Sequence, residues 1–177
     1  MQWAPYSDAS FSKNHLRLCW LYFPPHGSPA WGWVCDVPPQ ILDSIPEGES
    51  EIAHGEAFAQ LLAFRMLGPT FANNSVLSFV DNVAVASSLI VGNSTSASLS
   101  TPAFTTQLLV AYNRIRVWWE YIDSKANISD GGSRVGVSDP VALSLGVTLK
   151  HSYWPVQSGA FMSPDKIKRE IIGQLFF

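Results

Sequence analysis

The first forty residues contain three short segments that are dense in aromatic and aliphatic residues and separated by turn residues. The segments cover residues 3–11, 15–23 and 30–37, and their composition is typical of β-strands. A Pro- and Gly-containing turn at 24–29 separates the last two. We therefore predict that the chain begins with an antiparallel meander of three strands.

A helical pattern follows a proline-punctuated loop at residues 38–48. The pattern predicts a helix from Glu49 to Leu67 that ends at Gly68-Pro69. At about 100° per residue, Glu56 projects along the centre of the apolar stripe of this helix. The stripe consists of Ile52, Ala59, Ala63 and Leu67, with Met66 at its edge.

The rest of the chain predicts alternating strands and helices. Val76–Val80 is a nearly continuous apolar run, as expected for a buried strand. The order predicts a mixed sheet with helices on its faces, in which the first strand is central and the fourth is its parallel neighbour. The other expected elements are helices at 83–91 and 102–115, a strand at 117–122, a loop at 123–134 that runs into a helical turn, and a C-terminal helix at 163–177.

Composition narrows the class of protein. The 177 residues suit one domain, with 47% hydrophobic and 14% charged residues. A net charge of −3 argues against a strongly basic nucleic-acid binder, although bound cations could offset clustered carboxylates. Cys19 and Cys35 are expected to be buried thiols rather than a disulfide. We expect an intracellular protein, because the start of the chain is unlike a signal peptide and no apolar run is long enough to span a bilayer.

Four carboxylates lie in contexts that solubility does not explain. Asp8 lies within the first strand, Glu56 on an apolar helix face, Asp81 at the end of the fourth strand, and Asp130 at the start of a turn. Buried carboxylates are disfavoured unless they are paired or bind a cation. Ligands of mixed sheets collect near the carboxyl ends of parallel strands. If these acids converge there, hard oxygen ligands favour Mg²⁺ or Mn²⁺.

The acids and their surroundings resemble the ribonuclease H domains that follow reverse transcriptases in retroelements. The resemblance is carried by YSDAS at 6–10, GEAFA at 55–59, FVDN at 79–82 and EYIDSKANISDGGSR at 120–134. It implies an α/β, ribonuclease H-like mixed five-stranded sheet flanked by helices. We expect this domain to cover residues 1–136, followed by a C-terminal extension of uncertain structure at 137–177.

The resemblance implies a metal-dependent endonuclease that cuts the RNA strand of RNA–DNA hybrids with two Mg²⁺ (or Mn²⁺) ions. Asp8 would bridge both ions, Glu56 and Asp81 would bind one, and Asp130 the other. The expected partners are the hybrid and a reverse transcriptase domain of the same element, with no membrane. Expected nucleic-acid contacts are Ser10, Asn82 and Asn127 at 2′-hydroxyls, and Lys125, Arg134, Arg114 and Arg116 at phosphates.

Simpler interpretations of the same residues remain open. Asp130 could cap a turn, Asp81 could cap the next helix, Asp8 could be an edge-strand charge, and Arg134 could pair with a nearby acid. The tryptophans at 31, 33, 118 and 119 suit core packing better than base stacking. The loop at 123–126 lacks the His found in many ribonucleases H, and no basic handle is evident. The rival function is therefore a catalytically degenerate ribonuclease H-like scaffold or nucleic-acid-binding module.

Overall fold

The computed structural model describes residues 2–25 and 27–154, which form a six-stranded sheet with helices on both faces. The strands are β1 (Gln2–Ser12), β2 (His15–Phe23), β3 (Trp31–Asp36), β4 (Ser75–Val80), β5 (Arg116–Tyr121) and β6 (Thr148–Ser152). The helices are α1 (Pro39–Leu42), α2 (Glu51–Phe71), α3 (Val83–Val91), α4 (Ala97–Tyr112), α5 (Asp130–Val135) and α6 (Pro140–Ser144), with a 3₁₀ turn at Ser124–Ala126.

The predicted meander is present. β1 and β2 form an antiparallel hairpin closed by Lys13 and Asn14, whose φ angles are 51° and 59°. Two positive φ angles identify the tight primed turn that matches the twist of paired strands. β2 then pairs antiparallel with β3, so the first three strands follow the predicted order.

The sheet order is β5-β4-β1-β2-β3-β6, and β1 pairs in parallel with β4. The central position of β1 is therefore confirmed. The predicted count of five strands is one too low, because β6 adds to the edge of the sheet beside β3. β6 is short and largely exposed, so its sequence carries no apolar pattern. The division of the chain at residue 136 stays a prediction; residues 137–154 contribute β6 to the same sheet and α6, which packs against α5 and β6.

The two faces of the sheet carry different helices. Ala9 and the other apolar residues on its face pack beneath α2, α3 and α4. Tyr6, on the opposite face, packs with a smaller cluster near α5 and α6. No helix within the described residues is both long and apolar enough to cross a bilayer. Both cysteines are buried and unbridged, as predicted.

Helix α2 differs from its prediction in two ways. It continues through Pro69 to Phe71, because the fully buried Phe71 ring packs 6.0 Å from Trp3 and 5.4 Å from Tyr22. It is also buried almost all round, since α4 covers the side turned away from the sheet. Ile52 and Met66, assigned to the buried stripe, are instead about half exposed.

Helix α4 begins five residues earlier than predicted. Ser96 caps it by accepting a hydrogen bond from Leu99 N, so the Ser-rich stretch forms its first turn. Ser96 and Ser98 also donate hydrogen bonds to Glu49, just before α2. The serines therefore join the starts of α2 and α4. α3 matches its predicted bounds, and the expected C-terminal helix lies outside the described residues.

Candidate metal centre

The site lies where β1 and β4 separate. The two strands pair only as far as Tyr6 and Phe79, so the following residues of β1 lose their neighbour on that side. Asp8 lies just beyond this point and is 3% exposed. Its Oδ2 accepts a hydrogen bond from Ser133 Oγ of α5. Because β1 is central, Asp8 is not the edge-strand charge of the simpler interpretation.

Glu56 reaches this gap from α2. Ala9 N donates a 2.8 Å hydrogen bond to Glu56 Oε1, which replaces the missing partner from β4. The helix comes close enough because residue 55 is glycine: a Cβ there would lie 2.6 Å from Ala9 Cβ and 2.8 Å from Leu16 Cδ1. Glu56 is 1% exposed, and its Oε2 accepts no hydrogen bond within the described residues.

Asp81 completes the cluster from the end of β4. The helix cap that Asp81 could have supplied is made by Asn82, whose side chain accepts hydrogen bonds from Ala84 N and Val85 N. Asp81 is thus free to face the gap. One carboxylate oxygen from each of Asp8, Glu56 and Asp81 lies within 4.8 Å of the others.

A buried amide one helical turn after Glu56 ties the same elements together. Gln60 Nε2 donates to Ser7 Oγ at 2.9 Å and lies 3.4 Å from Phe79 O. Gln60 Oε1 accepts from Ser78 Oγ at 2.9 Å and from Trp119 Nε1 at 3.2 Å. All four hydrogen-bonding positions of the amide are used. Ser7 precedes Asp8 in β1, and Ser78 lies in β4, the strand that leads to Asp81.

The two buried carboxyl groups, Asp8 and Glu56, resist ionisation. Burial is the main reason that the pKa of Asp8 rises from 3.8 to about 7. The charges of Asp81 and Asp130 add to this rise, whereas the hydrogen bond from Ser133 opposes it. The pKa of Glu56 is raised well above 4.5, first by burial and then by the charges of Asp8 and Asp81. Without a cation, the cluster therefore holds protons near neutral pH.

Asp130 stands apart from the other three acids. We expected it to join them, but within the described residues the cluster contains only Asp8, Glu56 and Asp81. Asp130 opens α5, and its Oδ1 accepts a 2.8 Å hydrogen bond from Arg134 Nε one turn later. This local pairing is the simpler interpretation of Arg134. Asp130 still lies near enough for its charge to raise the pKa of Asp8.

Three of the expected nucleic-acid contacts, Asn127, Ser10 and Asn82, already form hydrogen bonds within the protein, whereas Lys125 is exposed. Asn127 is buried, donates to Ser7 O and accepts from Ser129, so we assign it a structural role instead of the expected contact. Ser10 Oγ is already bonded to Ser133 O, and Asn82 caps α3. Lys125 is exposed beside a cavity of about 240 Å³ that Asp130 also lines.

Two arginines expected at phosphates lie away from the carboxylates. Arg116 opens β5 beside Ser75, the first residue of β4, whereas Asp81 follows the last. A strand of this length spans roughly 17–20 Å. Arg114, two residues earlier, lies at the same far end. Their contact with phosphates stays a prediction, and it would lie at the opposite end of β4 and β5 from the acids.

The cluster fits a divalent cation. Three carboxylates meet, and within the described residues none of them forms an ion pair and Glu56 Oε2 is buried without a donor. An unpartnered buried oxygen of this kind is costly unless it is protonated or binds a metal. All ligand atoms are hard oxygens, as Mg²⁺ and Mn²⁺ require.

Comparison with known proteins supports the fold. The structure is similar to ribonuclease H1 from the halophilic archaeon Halobacterium salinarum, with a TM-score of 0.53 and 13% identity, over 73% of this chain and 91% of that chain. It is also similar to an N-terminal ribonuclease H domain from Mycobacterium tuberculosis, solved as a fusion with maltose-binding protein, with a TM-score of 0.61 and 12% identity, over 81% and 98%. The sequence matches no protein-family profile and no curated protein.

The chain therefore has the ribonuclease H fold, with a six-stranded mixed sheet flanked by helices. Identities of 12% and 13% establish the fold alone. Sequence reasoning did not single out Ser133 and Gln60 as contributors to the site. The signal for Gln60 was present, because a lone amide lies one turn after Glu56 in an apolar helix.

Proposed function

We propose that the protein is a metal-dependent endonuclease that cuts the RNA strand of RNA–DNA hybrids. The observation that carries the proposal is the meeting of Asp8, Glu56 and Asp81 within 4.8 Å where β1 and β4 of a ribonuclease H fold separate. The two buried members retain protons unless a cation compensates their charge. On this fold, metal-assisted hydrolysis of a nucleic acid is the reaction that such a cluster suits most directly.

Asp8, Glu56 and Asp81 would hold the cation, and Asp130 would serve a second ion after release from Arg134. Bound Mg²⁺ or Mn²⁺ would activate a water and stabilise the leaving 3′ oxygen, which gives a 5′-phosphate product. The protein's own part is to orient the ligands. Ala9 N fixes Glu56 Oε1, and Ser133 Oγ fixes Asp8 Oδ2.

Substrate binding would rest on few charges. Lys125 and Arg134 are exposed near the acids and would meet phosphates. With a net charge of −3, such binding should fall steeply as salt increases. We further propose that the partner is a reverse transcriptase domain of the same retroelement; the motif at 120–134 supports this.

The direct test is cleavage of a hybrid that is labelled on its RNA strand, at low salt with Mn²⁺. Wild type should release products with 5′-phosphates, and Asp8→Asn should release none, because it removes the ligand shared by both ions. Asp43→Asn is the matched control, since it makes the same chemical change at an exposed acid, the C-cap residue of α1. Equal cleavage by wild type and Asp8→Asn would identify a contaminating nuclease.

The second candidate is a degenerate scaffold or binding module that retains the fold. The pairing of Asp130 with Arg134, outside the three-acid cluster, is the observation that favours it. The two candidates differ in one combined result. Binding of Mn²⁺ and hybrid by well-folded wild type, with no cleavage, would establish the scaffold.

A further inference from the structure

Strand β5 forms an uncovered edge of the sheet. It pairs with β4 on one side, and within residues 2–25 and 27–154 no strand lies on the other. Its sequence, RVWWEY, contains no Pro or Lys, and its two charged residues, Arg116 and Glu120, are of opposite sign. The edge is therefore suited to receive another strand.

Apolar side chains surround this edge. Trp118 is 67% exposed, the exception to the core packing expected for the four tryptophans. Val83, Ile90 and Val91 of the adjacent α3 are also exposed. A groove of about 380 Å³ runs between β5 and the helices, and Ile90, Val110 and Ile115 line it. Exposed apolar surface of this kind marks an association site.

The backbone direction restricts the register of an added strand. Arg116 N donates to Asn74 O, and Ile122 N donates to Val80 O. Even-numbered residues of β5 therefore direct their backbone groups at β4. By the alternation of a strand, Val117, Trp119 and Tyr121 direct theirs outward.

We propose that a second copy of this chain pairs with β5, antiparallel, about a two-fold axis at Trp118. Val117 of each copy then exchanges backbone hydrogen bonds with Trp119 of the other, which uses the outward groups. The same register places Arg116 of each copy opposite Glu120 of the other. A two-fold axis makes both contacts twice from one surface.

The charges agree with this register. Arg116 and Glu120 lie on the face of Trp118, and neither makes an ion pair within the described residues. Arg116 Nε is bonded to Ser75 Oγ at 3.2 Å, and Glu120 Oε2 accepts from Trp118 Nε1 at 3.0 Å. The guanidinium ends and the other carboxylate oxygen remain available to the second copy.

The groove beside β5 is also consistent with this register. The register brings Tyr121 of one copy opposite Ile115 of the other, on the face of the sheet that packs against α2, α3 and α4. Tyr121 is 48% exposed in a single chain, and Ile115 lines the groove. The tyrosine ring of each copy would fill the groove of the other.

The test is sedimentation equilibrium of the full chain with charge-reversal variants. Wild type should dimerise, and Arg116→Glu or Glu120→Arg alone should raise the dissociation constant at least about tenfold, because each places like charges opposite. The double variant should recover the wild-type constant. An equimolar mixture of the two single variants should also recover it, since every contact in the mixed dimer joins opposite charges.

A cross-link locates the axis. Trp118→Cys should form an intermolecular disulfide on mild oxidation, since residues opposite each other in a non-hydrogen-bonded pair have Cα atoms about 4.5 Å apart. Ser87→Cys, on the exposed side of α3, is the control and should not. If the wild-type chain stays monomeric up to about 100 μM, its self-association is far weaker than that of specific dimers. That result would overturn the proposal. A dimer insensitive to the reversals would overturn it equally.

Discussion

The two sides of the acid cluster are built differently. Asp8 and Glu56 lie on the central strand and the central helix, are almost fully buried, and are oriented by Ala9 N and Ser133 Oγ. Asp130 lies on the six-residue α5, keeps about a third of its side chain exposed, and is neutralised by Arg134 one turn away.

The difference shows two ways in which a fold can hold carboxylates close to one another. On the buried side, the carboxylates repel each other and are kept together by contacts between distant parts of the chain, such as the Gln60 amide. On the exposed side, a local ion pair suffices and contributes little stability. A metal should therefore act mainly on the buried side.

The largest expected effect concerns cleavage. Glu56→Gln should lower the rate of hybrid cleavage at least about a thousandfold, because a lost metal ligand removes several kcal/mol of transition-state stabilisation. Asp130→Asn should lower it less if the buried side dominates. Single-turnover rates with Mn²⁺ measure both, and equal losses would show that the two sides contribute alike.

The next effect concerns stability. Mn²⁺ at about a hundred times its dissociation constant should add about 2.7 kcal/mol to the free energy of unfolding. Glu56→Gln should remove most of this gain and raise the stability of the metal-free protein, since a neutral amide replaces a carboxyl group whose pKa is raised by burial and by the charges of Asp8 and Asp81. Thermal denaturation with and without Mn²⁺ measures both changes. An unchanged gain in the variant would place the metal elsewhere.

A smaller effect concerns pH. The pKa of Asp8 is about 7 in the folded protein and 3.8 in the unfolded chain, so the folded state binds more protons between these values. Stability of the metal-free protein should therefore fall as pH rises from about 4 to 7, by at most about 4 kcal/mol from this group. Below pH 4 both states are protonated and the contribution vanishes. Asp8→Asn should flatten the profile, which urea denaturation at several pH values would measure.

The smallest effect should come from Arg134→Ala. Its ion pair with Asp130 is exposed, so the free energy of unfolding should change by about 1 kcal/mol or less. Mn²⁺ affinity of the buried cluster should be nearly unchanged. Isothermal titration calorimetry checks this, and a loss of affinity comparable to that of Glu56→Gln would contradict the contrast between the two sides.

The sequence predicted the elements whose patterns are strong. The meander, β4 and α3 follow from apolar runs and turn residues, and three of the four acids meet as expected. It did not predict β6, which is exposed at an edge, or the continuation of α2 through Pro69. Those features depend on tertiary contacts, the pairing with β3 and the burial of Phe71.

The acid site could also be predicted only where local sequence patterns, and not tertiary contacts, decide the structure. Sequence motifs located Asp8, Glu56 and Asp81, but not the separation of β1 from β4 that leaves Ala9 N for Glu56. They also grouped Asn127 with residues that contact substrate, although its amide is used inside the protein. Packing decides which polar groups form hydrogen bonds inside the protein. Local sequence does not encode that packing.

The tight turn at Lys13 and Asn14 has a consequence for how the protein folds. The β1–β2 hairpin joins near neighbours in sequence, whereas the pairing of β1 with β4 joins residues more than seventy positions apart. Local contacts form at lower entropic cost, so the hairpin is expected to precede the β1–β4 pairing on the folding pathway. The carboxylates meet only in the later step. A cation bound by them should thus slow unfolding while leaving the folding rate nearly unchanged.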